Sequence, residues 1–373
     1  MHPLVEELKS LITTNHWEKQ FGQGFEKVRE SGLQGTEHYA DLDSMYHTLD
    51  DLLHWAPRVP SDPRHAFETP LLFYYMVDQE PLKSLQSPVR PAPGAEPLSP
   101  LSAWMVKMAL AYGEYLDTPA SLECIETFKA IVAWDDYMPP PSGYHTFNQF
   151  FARHIKPGKR PVAEMENDRA VVSPADSVYV GSWPISDQSE IDVQEPMLDL
   201  KGLQWSIHQL LDGSQYADRF KGGLFTHSFL NVNDYHRWHS PVRGKLVEAR
   251  VIQGQVYMDV RTKQEMFQGK PDVIMDIVDS TGFQFVQTRG VLVLDSPIGL
   301  VACIPVGMAL VSSVKITAEV GSVLRKGEEM GYFQFGGSDF VMVFERSADV
   351  KLLCEPMVHY NQGVQVGNAK LKS

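Results

Sequence analysis

Near the C-terminus, Phe335-Gly336-Gly337-Ser338-Asp339-Phe340 interrupts a stretch otherwise composed like strand, with Tyr332 and Phe333 before it and Val341, Val343 and Phe344 after it. Glycine inside a strand pattern marks a bulge, a bend or the close approach of another group, so the plainest reading is a bulged turn. The Gly337-Ser338 bond also has a chemistry of its own. A serine hydroxyl can attack the carbonyl of the residue before it. Glycine there presents no Cβ to obstruct the attack and tolerates a strained backbone. The resulting ester can eliminate to dehydroalanine, which hydrolyses to a pyruvoyl group, an electrophilic ketone at a new N-terminus. Serine is a weak nucleophile at its free pKa and needs an adjacent base, itself oriented by a third group. Two other stretches carry the required residue types. Asp234-Tyr235-His236-Arg237-Trp238-His239-Ser240-Pro241 holds two histidines, and Ser173-Pro174-Ala175-Asp176-Ser177 follows the apolar pair Val171-Val172.

In this order, these stretches resemble the phosphatidylserine decarboxylase family, whose members carry Ser-Pro-x-Asp-Gly, Tyr-His-Arg-x-His and a Gly-Ser cleavage site. Phe147-Asn148-Gln149-Phe150-Phe151-Ala152-Arg153, with Lys156-Pro157-Gly158-Lys159-Arg160-Pro161, is similar to the family's opening segment. The resemblance implies a pyruvoyl-dependent carboxy-lyase made as a proenzyme and cleaved between Gly337 and Ser338. It implies that Ser338 is the nucleophile and pyruvoyl precursor, that His239 is the base for self-cleavage, and that Asp176 orients that base as the carboxylate does in a Ser-His-Asp triad. His236 matches the family's histidine for the decarboxylation half, where a proton donor is needed. Three positions depart from the pattern: Gly336 stands where many lipid-acting relatives have leucine, Asp339 replaces Thr or Ser, and Ser177 replaces glycine. The expected partners are a small amino acid or phosphatidylserine and the self-derived large and small chains, with a homo-oligomer left open. The cofactor is made from the chain. An uncleaved relative acting as a binding module is the alternative of another class.

Rival chemistries find less support. His236 and His239 have the spacing of a metal pair, but Arg237 stands where a metalloprotease has Glu, so no metal is expected. The serine lacks the Gly-x-Ser-x-Gly flank of a hydrolase elbow, and no Gly-rich nucleotide loop is present. His145, His154 and His227 read as structural. The net charge of −14 disfavours nucleic acid and electrostatic docking to anionic lipid. Cys124, Cys303 and Cys354 are widely spaced and odd in number, which fits a reducing compartment. No basic or apolar leader opens the sequence, so a cytoplasmic protein is expected.

The elements that must position these residues fall into two blocks, read as an α+β protein. Residues 1–140 form a helical domain, with apolar stripes at Leu4, Leu8, Leu11 and Ile12, at Leu42, Tyr46, Leu49 and Leu53, and at Ile125, Phe128, Ile131 and Val132. Such a helical extension is similar to that of the fungal tryptophan decarboxylases, which favours a free aromatic amino acid as substrate. Ser87–Pro100 holds five prolines and reads as an exposed loop or an extended connection. The domain break falls at Met138-Pro139-Pro140-Pro141. Residues 141–373 read as a β-rich, sandwich-like catalytic domain, with strands at 170–172, 178–183, 244–251, 256–260, 282–286 and 290–294. After Pro161 only Trp205–Leu211 reads as a clear helix, following Lys201-Gly202. The uncharged run Ile298–Val314 reads as buried strand rather than membrane span.

Overall fold

The computed structural model describes residues 1–372 apart from 93, 95, 194–202, 268 and 278–280. The pair Lys201-Gly202 lies outside the described residues. The first block is helical: α1 Pro3–Asn15, α2 Glu18–Glu30, α3 Leu42–Leu52, α4 Glu68–Val77 and α5 Pro100–Tyr115. Local chemistry sets the helix starts. Asp41 caps α3 by accepting from the Ser44 amide at 2.8 Å, and α5 opens with Pro100 after the cap Ser99. The stripe at Ile125, Phe128 and Ile131 has a spacing of three, which a 3-10 turn satisfies as well as an α-helix. The chain there forms the 3-10 turns Pro119–Leu122 and Ile125–Ala130.

The proline-rich connection before α5 is half-covered rather than fully exposed. Gln255 Nε2 donates to Pro88 O at 3.3 Å and Ala92 N donates to Gln209 Oε1 at 3.0 Å, which straps this stretch onto the β-rich block.

That block is built on one eight-stranded antiparallel sheet. Its strands are β1 Ser177–Pro184, β2 Leu224–Leu230, β3 Gly244–Ile252, β4 Arg289–Ser296, β5 Gly299–Leu310, β6 Val323–Leu324, β7 Gly336–Phe344 and β8 His359–Tyr360, in the spatial order β6-β3-β4-β5-β7-β2-β1-β8. Every residue of β5 is buried, so the apolar run at 298–314 is a central strand covered on both faces. Alternation along β7 sorts its residues. Phe340, Met342 and Phe344 enter one core with Trp238, Met330 and Phe333. Val341 and Val343 enter the opposite core with Trp205, Phe225 and Phe285. On the first face lies a three-stranded sheet of Val314–Ile316, Glu329–Phe333 and Arg237–His239, which carries the histidine motif.

Three expected elements differ. Trp205 and Ser206 belong to a strand, Leu203–Ser206, and the helix is only Ile207–Leu211, with Ser206 at its cap. Residues 256–260 make no ladder before Val260. The Gln287 side chain bonds both backbone groups of Tyr257 instead, in place of a neighbouring strand. Gly282, at φ 137°, turns the chain into the 3-10 turn Phe283–Phe285, where strand was expected.

The helical block shares its core with the β-rich block. The cluster formed by α1–α5 includes Tyr235, Met258, Leu310, Val311 and Phe335.

Candidate active site

Ser338 lies on β7, fully buried, opposite Gly307 of β5 and Leu230 of β2. Just before it, the pairing of β7 with β5 shifts register between Gly307 and Leu310. Gly336 has φ 143°, and a Cβ there would stand 2.5 Å from Ala309 O, so only glycine fits. Phe335 anchors the same stretch. Its amide donates to Asn148 Oδ1 at 3.3 Å. Its ring packs among Phe67, Tyr112, Phe147 and Phe151, with centroids 5.1–6.4 Å apart. The short helix Phe147–Phe151 therefore grips the residue two before Gly337.

The Ser338 hydroxyl donates to His236 Nδ1 at 3.3 Å. His236 Nε2 lies 3.0 Å from Asn231 O, a carbonyl that can only accept. The proton therefore sits on Nε2, and Nδ1 presents its lone pair to the serine. The imidazole is fully buried and stacks on Phe151 with centroids 4.0 Å apart. Burial, and then the nearby Arg153 cation, push its pKa down to about 3. Arg153 is itself buried and donates to the carbonyls of Asn233 and Asp234 at 2.9 and 2.7 Å, which fixes the turn that carries the histidine motif.

His239 and Asp176 are held differently from the triad expected from sequence. His239 Nδ1 donates to Gly327 O at 3.0 Å, and its Nε2 accepts from the Tyr235 hydroxyl at 3.2 Å. Burial lowers its pKa and raises that of Tyr235. The Asp176 carboxylate is bound by the Arg160 guanidinium, with Nε to Oδ1 at 2.8 Å, and by the Gln362 amide at 2.8 Å. The loop of Asp176 still meets His239, whose amide donates to Pro174 O at 2.8 Å. The structure thus brings His236 to Ser338 and sets His239 on Tyr235. Among the described residues, no hydrogen bond joins His239 to either Ser338 or Asp176. Ser177 is buried and closes the local turn with Oγ 3.4 Å from Ala175 O.

Sequence reasoning passed over several residues that build this site. Phe151 and Arg153 were visible in the opening segment but had no role attached. Asn231 acts through its backbone carbonyl, which no side-chain pattern can signal. Asp234 and His359, which pair at 2.9 Å beside the histidine turn, are 125 residues apart. Next to the site, a cavity of about 300 Å³ is lined by Tyr144, Asn148, Arg153, Arg237, Tyr332 and Gln334 among others. The residues present fit a pyruvoyl group formed in place: the serine follows two glycines, and its hydroxyl faces a neutral imidazole.

A family profile described as phosphatidylserine decarboxylase matches residues 147–372. Phosphatidylserine decarboxylase proenzyme 3 of Schizosaccharomyces pombe is 33% identical over 244 residues, which are 64% of this chain and 23% of that protein. Decarboxylase iboD of Amanita muscaria is 32% identical over 212 residues, 54% of this chain and 59% of that one. L-tryptophan decarboxylase of Psilocybe cyanescens is 26% identical over 238 residues, 61% of this chain and 52% of that one. The chain spans less than two thirds of the length of each of these relatives.

Proposed function

The chain belongs to the phosphatidylserine decarboxylase family, and on that premise we propose that it is a carboxy-lyase made as a proenzyme and self-cleaved between Gly337 and Ser338. One observation carries the reading: the Ser338 hydroxyl rests on the lone-pair nitrogen of a buried, neutral imidazole. In maturation, Ser338 Oγ bonds to the Gly337 carbonyl carbon, the C–N bond between the two residues breaks, and the hydroxyl proton ends on the released amine. The ester then loses the Ser338 α-proton and its Cβ–Oγ bond, and water releases ammonia to leave the pyruvoyl group. A pyruvoyl group formed there would supply an electron sink for the loss of CO₂ from an α-amino acid.

The chain's own residues divide the proton work. The family motif assigns His239 the base role in self-cleavage; its Nδ1–H is fixed on Gly327 O, and its Nε2, which accepts from the Tyr235 hydroxyl, must exchange that partner for Ser338 before cleavage. His236 orients the serine before cleavage and afterwards stands beside the same atoms. An anionic substrate there favours its imidazolium, which can protonate the substrate carbon that has lost CO₂.

The substrate is a free aromatic L-amino acid of the tryptophan kind. Support comes from the net charge of −14, which opposes docking to an anionic bilayer, and from the likeness to the Psilocybe L-tryptophan decarboxylase. Phosphatidylserine is the second reading, supported by the family description and the fission-yeast relative. The three free cysteines favour a reducing compartment such as the cytoplasm.

Intact mass tests the maturation. A fragment of 36 residues (373 − 338 + 1) should appear with a blocked N-terminus, and Ser338→Ala should stay full length. A binding module would stay full length without the mutation. Matured protein offered free L-amino acids and phosphatidylserine liposomes in parallel, with CO₂ release followed, decides the substrate.

A further inference from the structure

A chain of contacts runs from the buried serine to the protein surface. His236 Nε2–H, on the ring that holds Ser338, donates to Asn231 O at 3.0 Å. That carbonyl also accepts from the Asp234 amide at 2.9 Å. The Asp234 carboxylate closes the same turn from the other end, with Oδ2 accepting from the Asn231 amide at 2.8 Å. Its second oxygen, Oδ1, lies 2.9 Å from Nε2 of His359. His359 is the exposed end of the chain, with 38% of its side chain accessible, whereas Asp234 is buried. His359 sits on β8, paired with Val178 of β1. It follows Ser338 in sequence, so cleavage at Gly337-Ser338 puts it on the small fragment while Asp234 stays on the large one.

We propose that His359 is a positioning residue for His236: its imidazolium grips Asp234, and through Asp234 it holds the turn whose Asn231 carbonyl decides which nitrogen of His236 carries the proton. The inference rests on the proposed role of His236 beside Ser338. The charged groups facing His359 are Asp234 and, with smaller effects, Asp176 and Arg160. The hydrogen bond to Asp234 raises the His359 pKa above its usual value. The grip is therefore complete at low pH and is lost as pH rises through that raised value.

The test compares His359→Ala and His359→Arg. Decarboxylation by His359→Ala should fall about tenfold in kcat, the order of one charge-assisted hydrogen bond, with KM little changed. His359→Arg keeps a permanent cation, so it should retain activity, and the alkaline limb of the pH–rate profile should move upward. A second readout does not depend on turnover. In uncleaved Ser338→Ala protein, nitrogen NMR of the His236 ring should show the Nε2–H tautomer, and adding His359→Ala should mix the tautomers. An unchanged tautomer with unchanged kcat in His359→Ala overturns the proposal, as does an Arg variant that loses as much as Ala. If the protein with Ser338 intact neither matures nor releases CO₂, the functional reading fails, and the NMR comparison still decides the role of His359.

Discussion

Ser338 and Asp339 are adjacent in the chain and face opposite sides of one strand. Ser338 points into the layer that holds His236, whereas the Asp339 carboxylate enters the opposite layer. There it accepts from Gln284 Nε2 at 2.7 Å and lies 3.4 Å from His227 Nε2. The departure from the family pattern at position 339 therefore belongs to a buried polar cluster behind the site and not to the ester-forming face.

Asp339→Ala should be felt mainly as lost stability. Removing the Asp339 carboxylate takes an acceptor away from Gln284 Nε2 inside a buried polar set and costs about 2 kcal/mol. Denaturant unfolding of the uncleaved protein should show a loss of that order. The folded fraction should still yield the 36-residue fragment. If cleavage stopped while stability held, Asp339 would belong to the chemistry after all.

The two histidines should separate in mutants. His239→Ala removes the proposed base and should abolish cleavage on a denaturing gel. His236→Ala should cleave at least in part and decarboxylate poorly, because the ring beside the matured group is gone. Normal maturation of His239→Ala would transfer the base role to His236, the ring that touches Ser338.

Burial of His236 also makes a statement about acid stability. Its folded pKa, about 3, lies below the unfolded value of 6.5. Between those values the unfolded chain binds a proton that the folded chain refuses, so stability should fall as pH drops from 6.5 towards 3 and level off below that. His239 is shifted in the same direction and adds to the slope. A His236→Gln variant should show a flatter dependence of its urea midpoint on pH over this window. An unchanged slope would mean that the ring is not sealed from water.

Much of this site was legible in the sequence because its parts are short local patterns. The Gly-Gly-Ser break, the two-histidine motif and the Ser-Pro-x-Asp turn each announce themselves, and the apolar run at 298–314 announces a buried strand. What was not legible is the wiring between the parts. Asp176 carries a carboxylate suited to orient His239, yet Arg160, sixteen residues upstream, takes it up. The stripe Ile125, Phe128, Ile131 fits two helix types equally, and only packing chooses between them. Residues 256–260 have strand composition, but the Gln287 side chain occupies the backbone groups of Tyr257 that a ladder would use.

Gly336 gives a sharp test of the strained approach to the scissile bond. Its φ of 143° is one that L side chains rarely adopt, and a Cβ would stand 2.5 Å from the Ala309 carbonyl oxygen, a backbone atom with little room to move. Gly336→Ala should therefore force β7 away from β5 just before Ser338. The expected outcome is slow or absent cleavage with the remote sheet intact, followed as fragment yield against time. Cleavage at the normal rate would show that the bulge is not needed to present the Gly337 carbonyl.

The last prediction concerns the helical block, for which the sequence offered no chemistry. Its core runs without a break onto Phe335, Leu310 and Val311, residues that flank or face the cleavage strand. Phe335 alone packs against Phe67 and Tyr112 from the helical block, and the Leu310 amide donates to the Tyr74 hydroxyl at 3.2 Å. A chain starting at residue 141 would expose these faces to water, at about 25 cal/mol for each Å² of apolar surface uncovered. It would also release Phe335, which holds the stretch before Gly337 in place. Residues 141–373 expressed alone should therefore aggregate or stay uncleaved, and adding residues 1–140 as a separate chain should restore some cleavage. If residues 141–373 folded alone and matured at the full rate, the shared core would have no part in setting the cleavage geometry, and the helical block would have to act elsewhere.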